Sequence, residues 1–251
     1  MIKRLIFLLF PLLLLQSASF AQLTVLTSGG FAAPLHELLP GFEKSAGVRV
    51  EVLRGSSQGS GPNTIGAQLR RGVAADVVVM SREGLNDLIA DSRIVRGSDR
   101  DLAQTPLGVA VRAGAAKPDL RSVEAFKQML LQAKSITFPA STTGLYMMNT
   151  LFPRLGVADR ISGKITHTGV ADVGNGKAEI AIQPVSEILR APGTEFAGLI
   201  PKQIQYVSVF SAALVQGAAQ AGAGRRLIAF LGSNQARAAL AAHGMELPKS
   251  R

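Results

Sequence analysis

Between Leu23 and Ile89 the chain runs three times from a strand-like apolar segment, through a turn rich in small polar residues, into a helix-like segment. Leu23–Leu26 ends in Thr27, Ser28, Gly29 and Gly30, and Phe31–Lys44 then carries apolar residues at helical spacing. Pro34 falls in the first turn of that helix, where its missing N–H costs nothing, and Gly47 stops it. Val48–Leu53 (VRVEVL) alternates apolar and charged residues with period two, and Arg54–Thr64 (RGSSQGSGPNT) leads into a helical segment ending near Gly72. Ala75–Met80 (ADVVVM) is a continuous apolar run, as in a strand covered on both faces. Ser81 then caps a helix that turns Leu85, Leu88 and Ile89 inward. Repeated strand–turn–helix units predict an α/β sheet with right-handed crossovers.

The remainder predicts a second lobe. The chain turns polar from Ile94 to Thr105, and Leu107–Val111 (LGVAV) reads as a strand crossing into that lobe. A helix over Asp119–Lys134 and a strand over Ser135–Phe138 precede another small-residue loop, Pro139–Gly144 (PASTTG), ahead of a helix over Leu145–Leu155. Short strands are expected at Lys164–Thr166, Ile180–Ile182 and Gly198–Ile200. Short helices are expected after Thr168 and at Val185–Leu189. Tyr206–Val215 (YVSVFSAALV) returns the chain to the first lobe, which two amphipathic helices complete. The expected division is 22–106 plus 207–251 for one lobe and 107–206 for the other. Each would be a mostly parallel sheet flanked by helices, with two crossing strands as a hinge. Loops at the carboxyl ends of strands in both lobes would face one crevice. There, glycines let the backbone approach a guest, and first-turn N–H groups without helical partners favour negative charge.

Composition narrows the function. Lys3 and Arg4, the apolar run Leu5–Leu15 and the small-x-small site Ser19–Ala21 predict an export signal, with cleavage after Ala21 and a periplasmic destination. That run of 11 residues is shorter than the roughly 20 a spanning helix needs. With no Cys in the chain, no disulfide can support the fold. Without Lys3 and Arg4, 25 of the 27 basic residues remain against 17 acidic ones, in short separated groups. Only two Tyr and no Trp are available to stack on bases, so nucleic acid is a poor partner and a positive field drawing in small anions fits better. Three scattered His offer no metal-ligand spacing, and neither a nucleotide loop nor a serine-hydrolase elbow is present. No cofactor is called for.

Leu23–Gly30 (LTVLTSGG), Asn63–Leu69 (NTIGAQL) leading into Gly72–Val77 (GVAADV), and Gly176–Ile182 (GKAEIAI) resemble the molybdate-binding type of extracellular solute-binding protein. The likeness spans Gln22–Pro248 and implies a two-lobed, type II periplasmic-binding-protein-like fold. It also implies an oxyanion held between the lobes by hydroxyls and backbone amides, a monomer, and a membrane permease of an ABC transporter as partner. On that pattern the first-loop serine falls at Ser28–Gly30, and the second-loop serine at Pro62–Asn63. The residues before the second-lobe helix fall at Phe138–Pro139, and the ligand tyrosine at Pro184. The hydroxyl set for molybdate is thus largely altered, which favours another anion, a carboxylate. Gln183–Glu187 (QPVSE) and the serine-rich loop are similar to the branch that includes periplasmic aconitate isomerases.

The first reading is therefore a carrier that captures a small oxyanion or carboxylate between the lobes for uptake, and the alternative is a proton-shift isomerase acting on aconitate. The expected ligand set is Ser28, Gly29, Gly30, Arg54, Ser56, Asn63 and Thr64 from the first lobe. Ser141, Thr142, Thr143, Tyr146, Thr168 and Gln183 are its counterparts in the second. An isomerase needs a base within reach of a C–H bond, for which His167 and Glu187 are the candidates. Arg54 and Arg82 each stand at a strand's carboxyl end, where a guanidinium can grip a carboxylate with two N–H groups.

Overall fold

The computed structural model describes residues 22–248. The export signal and its cleavage site, read at 1–21, lie outside the described residues. In chain order, the first half runs β1 (Gln22–Ser28), α1 (Gly29–Ala46), β2 (Arg49–Gly55), α2 (Ile65–Arg70), β3 (Val77–Ser81), α3 (Arg82–Ala90) and β4 (Arg100–Arg112). Next come α4 (Val123–Gln132), β5 (Ile136–Thr137), α5 (Thr142–Tyr146), a π-helical stretch (Met147–Leu151), α6 (Phe152–Leu155), α7 (Ala158–Ile161) and β6 (Ile165–Thr166). The chain closes with α8 (Ala171–Gly174), β7 (Ile180–Pro184), α9 (Val185–Ile188), β8 (Thr194–Leu199), β9 (Val207–Leu214), α10 (Ala221–Leu231) and α11 (Arg237–Ala242).

The strands join in the order β2-β1-β3-β9-β4-β7-β5-β6, with β8 also against β4. β1 is parallel to β2 and β3, and β5 is parallel to β6 and β7. Between these two parallel triplets run β9 and β4, antiparallel to their neighbours. β4 changes partners midway. Through Pro106 it pairs with β9, and from Leu107 it pairs with β7, with β8 joining at Gly108. The change falls at a proline, which has no N–H to give to a ladder.

Each triplet has its own core. On one side of the first, Leu23, Val25 and Val79 meet Phe31, Leu35 and Phe42 of α1 and Leu227 and Leu240 of the last helices. On the other side, Leu26, Val78 and Met80 meet Ile65, Leu85 and Leu88. In the second half, Phe126, Phe138 and Phe152 have no exposed surface and pack with Leu107, Val109 and Ile136. Burying each such ring contributes about 1.5–3 kcal/mol.

Helix starts and one strand differ from the sequence expectation. α1 opens at Gly29, two residues earlier than expected, so Pro34 lies inside the helix rather than in its first turn. The N–H it lacks would have bonded to the Gly30 carbonyl, which instead accepts a 3.0 Å hydrogen bond from the Ser186 hydroxyl. Gly47 ends the helix as expected, with φ +64° and its N–H on the Glu43 carbonyl. β4 begins at Arg100, inside the stretch expected to be a polar connector. A register shift between Asp101 and Ala103 buries Leu102 and Ala103 side by side, which erases the period-two pattern. α4 starts at Val123 behind a Ser122 cap, four residues later than expected.

Candidate functional site

Six chain segments, most of them at strand termini, surround a cavity of about 390 Å³. From the β1–α1 junction come Ser28, Gly29 and Gly30, and from the end of β2 and its loop Arg54, Gly55, Ser56, Ser57 and Asn63. Ser81 contributes from the end of β3, and Pro139, Ser141, Thr142 and Thr143 from the loop into α5. Pro184 and Glu187, with Ser208 and Phe210 of β9, close the remaining side.

Much of this geometry is built locally. Ser28 is the residue before α1, yet its hydroxyl makes no capping bond. Its Oγ is buried and has no hydrogen-bond partner, although it lines the cavity. No acidic side chain occupies the first turn of α1. The Arg54–Thr64 loop is held shut by Ser56 N–H to Asn63 O and Ile65 N–H to Ser56 O. Thr64 caps α2 by accepting from Ala67 N–H. Gly30 is required by its surroundings, because a Cβ there would stand 2.2 Å from the Phe210 ring and 3.2 Å from Glu187 Oε1.

Hydroxyls tie the two sides of the cavity together. Ser81 Oγ lies 2.8 Å from Thr142 Oγ1, which donates in turn to Gln58 Oε1. Ser81 also accepts from Gly84 N–H, and its own N–H donates to Ser57 Oγ. Glu187 is the acid of the site. The surface it keeps lies on the cavity, and loss of water pushes its carboxyl up to about 7, against a hydrogen bond from Gln183 and the charge of Arg54. Gln183 Nε2 donates to Glu187 Oε2, while Glu187 Oε1 faces Gly29 and Gly30.

Of the residues singled out from sequence, Ser28, Gly29, Gly30, Arg54, Ser56, Asn63, Ser141, Thr142, Thr143 and Glu187 come together around this cavity. Five others do not line it. Thr64 is used as a helix cap, and Gln183 stands behind Glu187. Thr168 bonds to Asp172 and Thr137. Tyr146 stacks on Tyr206 at 4.7 Å and donates to the Ile204 carbonyl. His167 is exposed, packs edge-on against Phe138, and borders an adjoining groove that shares Ser56, Ser57, Asn63 and Pro139 with the cavity. Arg82 likewise does not reach the cavity, because Asp99 and Asp101 take its guanidinium.

Sequence reasoning misses Ser57, Ser81, Ser208 and Phe210 as lining residues. Ser81 sits at a strand's carboxyl end as Ser28 does, so the same signal is present there. Ser208 and Phe210 are same-face positions of β9, which period two can find. Among the described residues, no group of three or more His, Asp or Glu is placed to hold a metal ion.

Residues 23–246 match the model of a family described as bacterial extracellular solute-binding protein. The chain belongs to that family. It is 35% identical over 237 residues to an aconitate isomerase of a Pseudomonas species, covering 93% of this chain and 90% of that one. Among solved structures, the periplasmic molybdate-binding protein of Azotobacter vinelandii superposes with a TM-score of 0.73 at 22% identity, over 90% of this chain and all of that one. The sulfate-binding protein of Mycobacterium tuberculosis does so at 0.65 and 18%, over 91% and 88%. The solute-binding chain thus has the two-lobed α/β fold of type II periplasmic binding proteins, with its parallel triplets joined through β4 and β9.

Proposed function

We propose that the cavity holds a small polycarboxylate and that Glu187 shifts a proton within it, so that the protein interconverts cis- and trans-aconitate. One observation carries the reading: an acid whose pKa lies near 7 stands inside a site otherwise built to attract anions. For simple capture of an anion such a group is a burden, since its ionised form repels the ligand. For acid–base work it is well tuned, because its two protonation states are nearly equal in free energy at neutral pH. The relation to an aconitate isomerase over nearly the whole length of both chains supports it. So do the volume and the apolar walls of Pro139, Pro184 and Phe210, which suit a carbon skeleton better than a lone tetrahedral oxyanion.

In this reading the Ser28 hydroxyl and the amides of Gly29 and Gly30 take one carboxylate, Arg54 a second, and the Ser141–Thr143 hydroxyls the rest. Glu187 removes a proton from the saturated carbon, the double bond moves into the vacated position, and the proton returns to the carbon at the other end of the allylic system. Charge developing on the ligand's carboxylates is met by Arg54 and the α1 amides. Relative movement of the two lobes about β4 and β9 admits the ligand. Export, cleavage after Ala21 and a monomeric periplasmic enzyme complete the proposal.

Proton NMR of the protein with either aconitate isomer tests it. Interconversion lost in Glu187→Gln but retained in His167→Ala is the expected result. Saturable binding of either isomer without turnover would replace it with the second reading, a carrier handing its ligand to an ABC permease. That reading is favoured by the family and by the molybdate- and sulfate-binding neighbours.

A further inference from the structure

The side chain that decides how Glu187 is presented stands behind it. Gln183, at the end of β7, is 2% exposed. Its Oε1 accepts the N–H of Val170, and its Nε2 donates to Glu187 Oε2. A backbone N–H can only donate, so the amide has one allowed orientation, with its acceptor toward Val170 and its donor toward Glu187. The turn carrying Val170 is anchored independently, since Gly169 N–H donates to Thr137 Oγ1 at 2.9 Å. Gly169 has φ +92°, and a Cβ there would lie 3.0 Å from Gln183 Oε1, so the backbone fits closely around the amide.

Glu187 therefore has one oxygen occupied and one free. Oε2 is bound by Gln183, and Oε1 is turned to the first turn of α1 at the cavity. We propose that Gln183 is a positioning residue, which by fixing a donor on Oε2 makes Oε1 the atom that takes and returns the proton. The proposal rests on the role given to Glu187 in the preceding section. The same bond keeps the acid able to ionise, because it opposes the effect of burial. The other groups around the carboxyl are few: Arg54 of β2 supplies the charge acting on it, α1 presents uncharged Gly29 and Gly30, and β9 contributes Ser208 and Phe210 to the same cavity. The hydroxyl of the adjacent Ser186 is turned to the Gly30 carbonyl.

Two variants test this. Gln183→Met is close in volume and removes the donor. Gln183→Glu keeps the shape and the bond from Val170 but sets a second carboxyl against Glu187, and two carboxyls in contact hold one proton between them. In Gln183→Met the acidic limb of the pH profile for aconitate interconversion should move up by a pH unit or more, and in Gln183→Glu the titration of Glu187 should split into two coupled steps, the upper one above that of the unaltered protein. Turnover at pH 7 should fall at least tenfold, with KM changed less than twofold. Titration of carbon-13-labelled glutamate, followed by NMR without any substrate, should show the Glu187 carboxyl moving in step. An unshifted titration in a folded Gln183→Glu protein overturns the role of Gln183, whatever the activity. Absence of turnover in the unaltered protein overturns the isomerase reading instead, and the titration then still decides whether Gln183 controls Glu187.

Discussion

Replacing Glu187 by glutamine should stabilise the unliganded protein at alkaline pH while abolishing turnover. In the fold its carboxyl titrates at about 7, against an ordinary value of 4.5. Between those two values the folded protein holds a proton that the unfolded chain has released, so stability falls as pH rises through the window. Each unit is worth about 1.4 kcal/mol, and the span therefore amounts to about 3 kcal/mol by pH 8. Below pH 4 both states are protonated and the penalty vanishes. The amide that takes the place of the carboxyl in Glu187→Gln keeps the shape, can accept from Gln183, and has no charge to desolvate. For a chain of this size about 3 kcal/mol corresponds to ~6 °C or more in Tm. Melts of the two proteins from pH 4 to pH 8.5, with no ligand present, should thus coincide at the acidic end and separate progressively above pH 5. A constant difference across the range would refute the assignment of a desolvated acid at this position.

Other sites give contrasting outcomes. Ser28→Ala removes a buried hydroxyl that has no partner in the unliganded protein, so the melt should hold or rise by about 1 kcal/mol in stability. Its affinity for trans-aconitate in a calorimeter should drop about tenfold, the worth of one hydrogen bond to a charged group. Gly30→Ala places a methyl group in the Phe210 ring and beside Glu187, and should cost about 1–3 kcal/mol in urea unfolding together with most of the turnover. His167→Ala should leave kcat and KM within twofold, because that ring borders the adjoining groove and does not line the cavity itself.

The strand–turn–helix units were legible because two independent signals agreed, a strand pattern (an apolar run, or period-two alternation at Val48–Leu53) and a following turn with small polar residues. Ala75–Met80 shows this best, for Val77 to Met80 are all without exposed surface. Boundaries were less legible where a side chain's role is settled by distant partners. The start of β4 was hidden by the irregularity at Asp101 to Ala103, which only pairing with β9 explains. At the site, the strand-end rule pointed to Ser28 and Asn63 because backbone chemistry alone makes such positions receptive to anions. It could not distinguish Thr142 from Thr168, two threonines in similar turns. Thr142 faces Ser81 across the cavity, whereas Thr168 is drawn to Asp172 four residues on. Nor could it separate Glu187 from a surface carboxylate, since the burial that raises its pKa is made by elements distant in sequence, with α1 against one carboxyl oxygen, while Arg54 of β2 and Gln183 of β7 act in the opposite direction.

Pro34 gives the architecture an economy of its own. By withholding one rung of the α1 ladder, an imino acid leaves the Gly30 carbonyl without its usual i+4 donor, and a serine from the opposite half of the molecule donates to it. That serine immediately precedes the acid of the cavity. A missing N–H in one backbone thereby helps fix how far the Glu187 carboxyl stands from the helix end facing it.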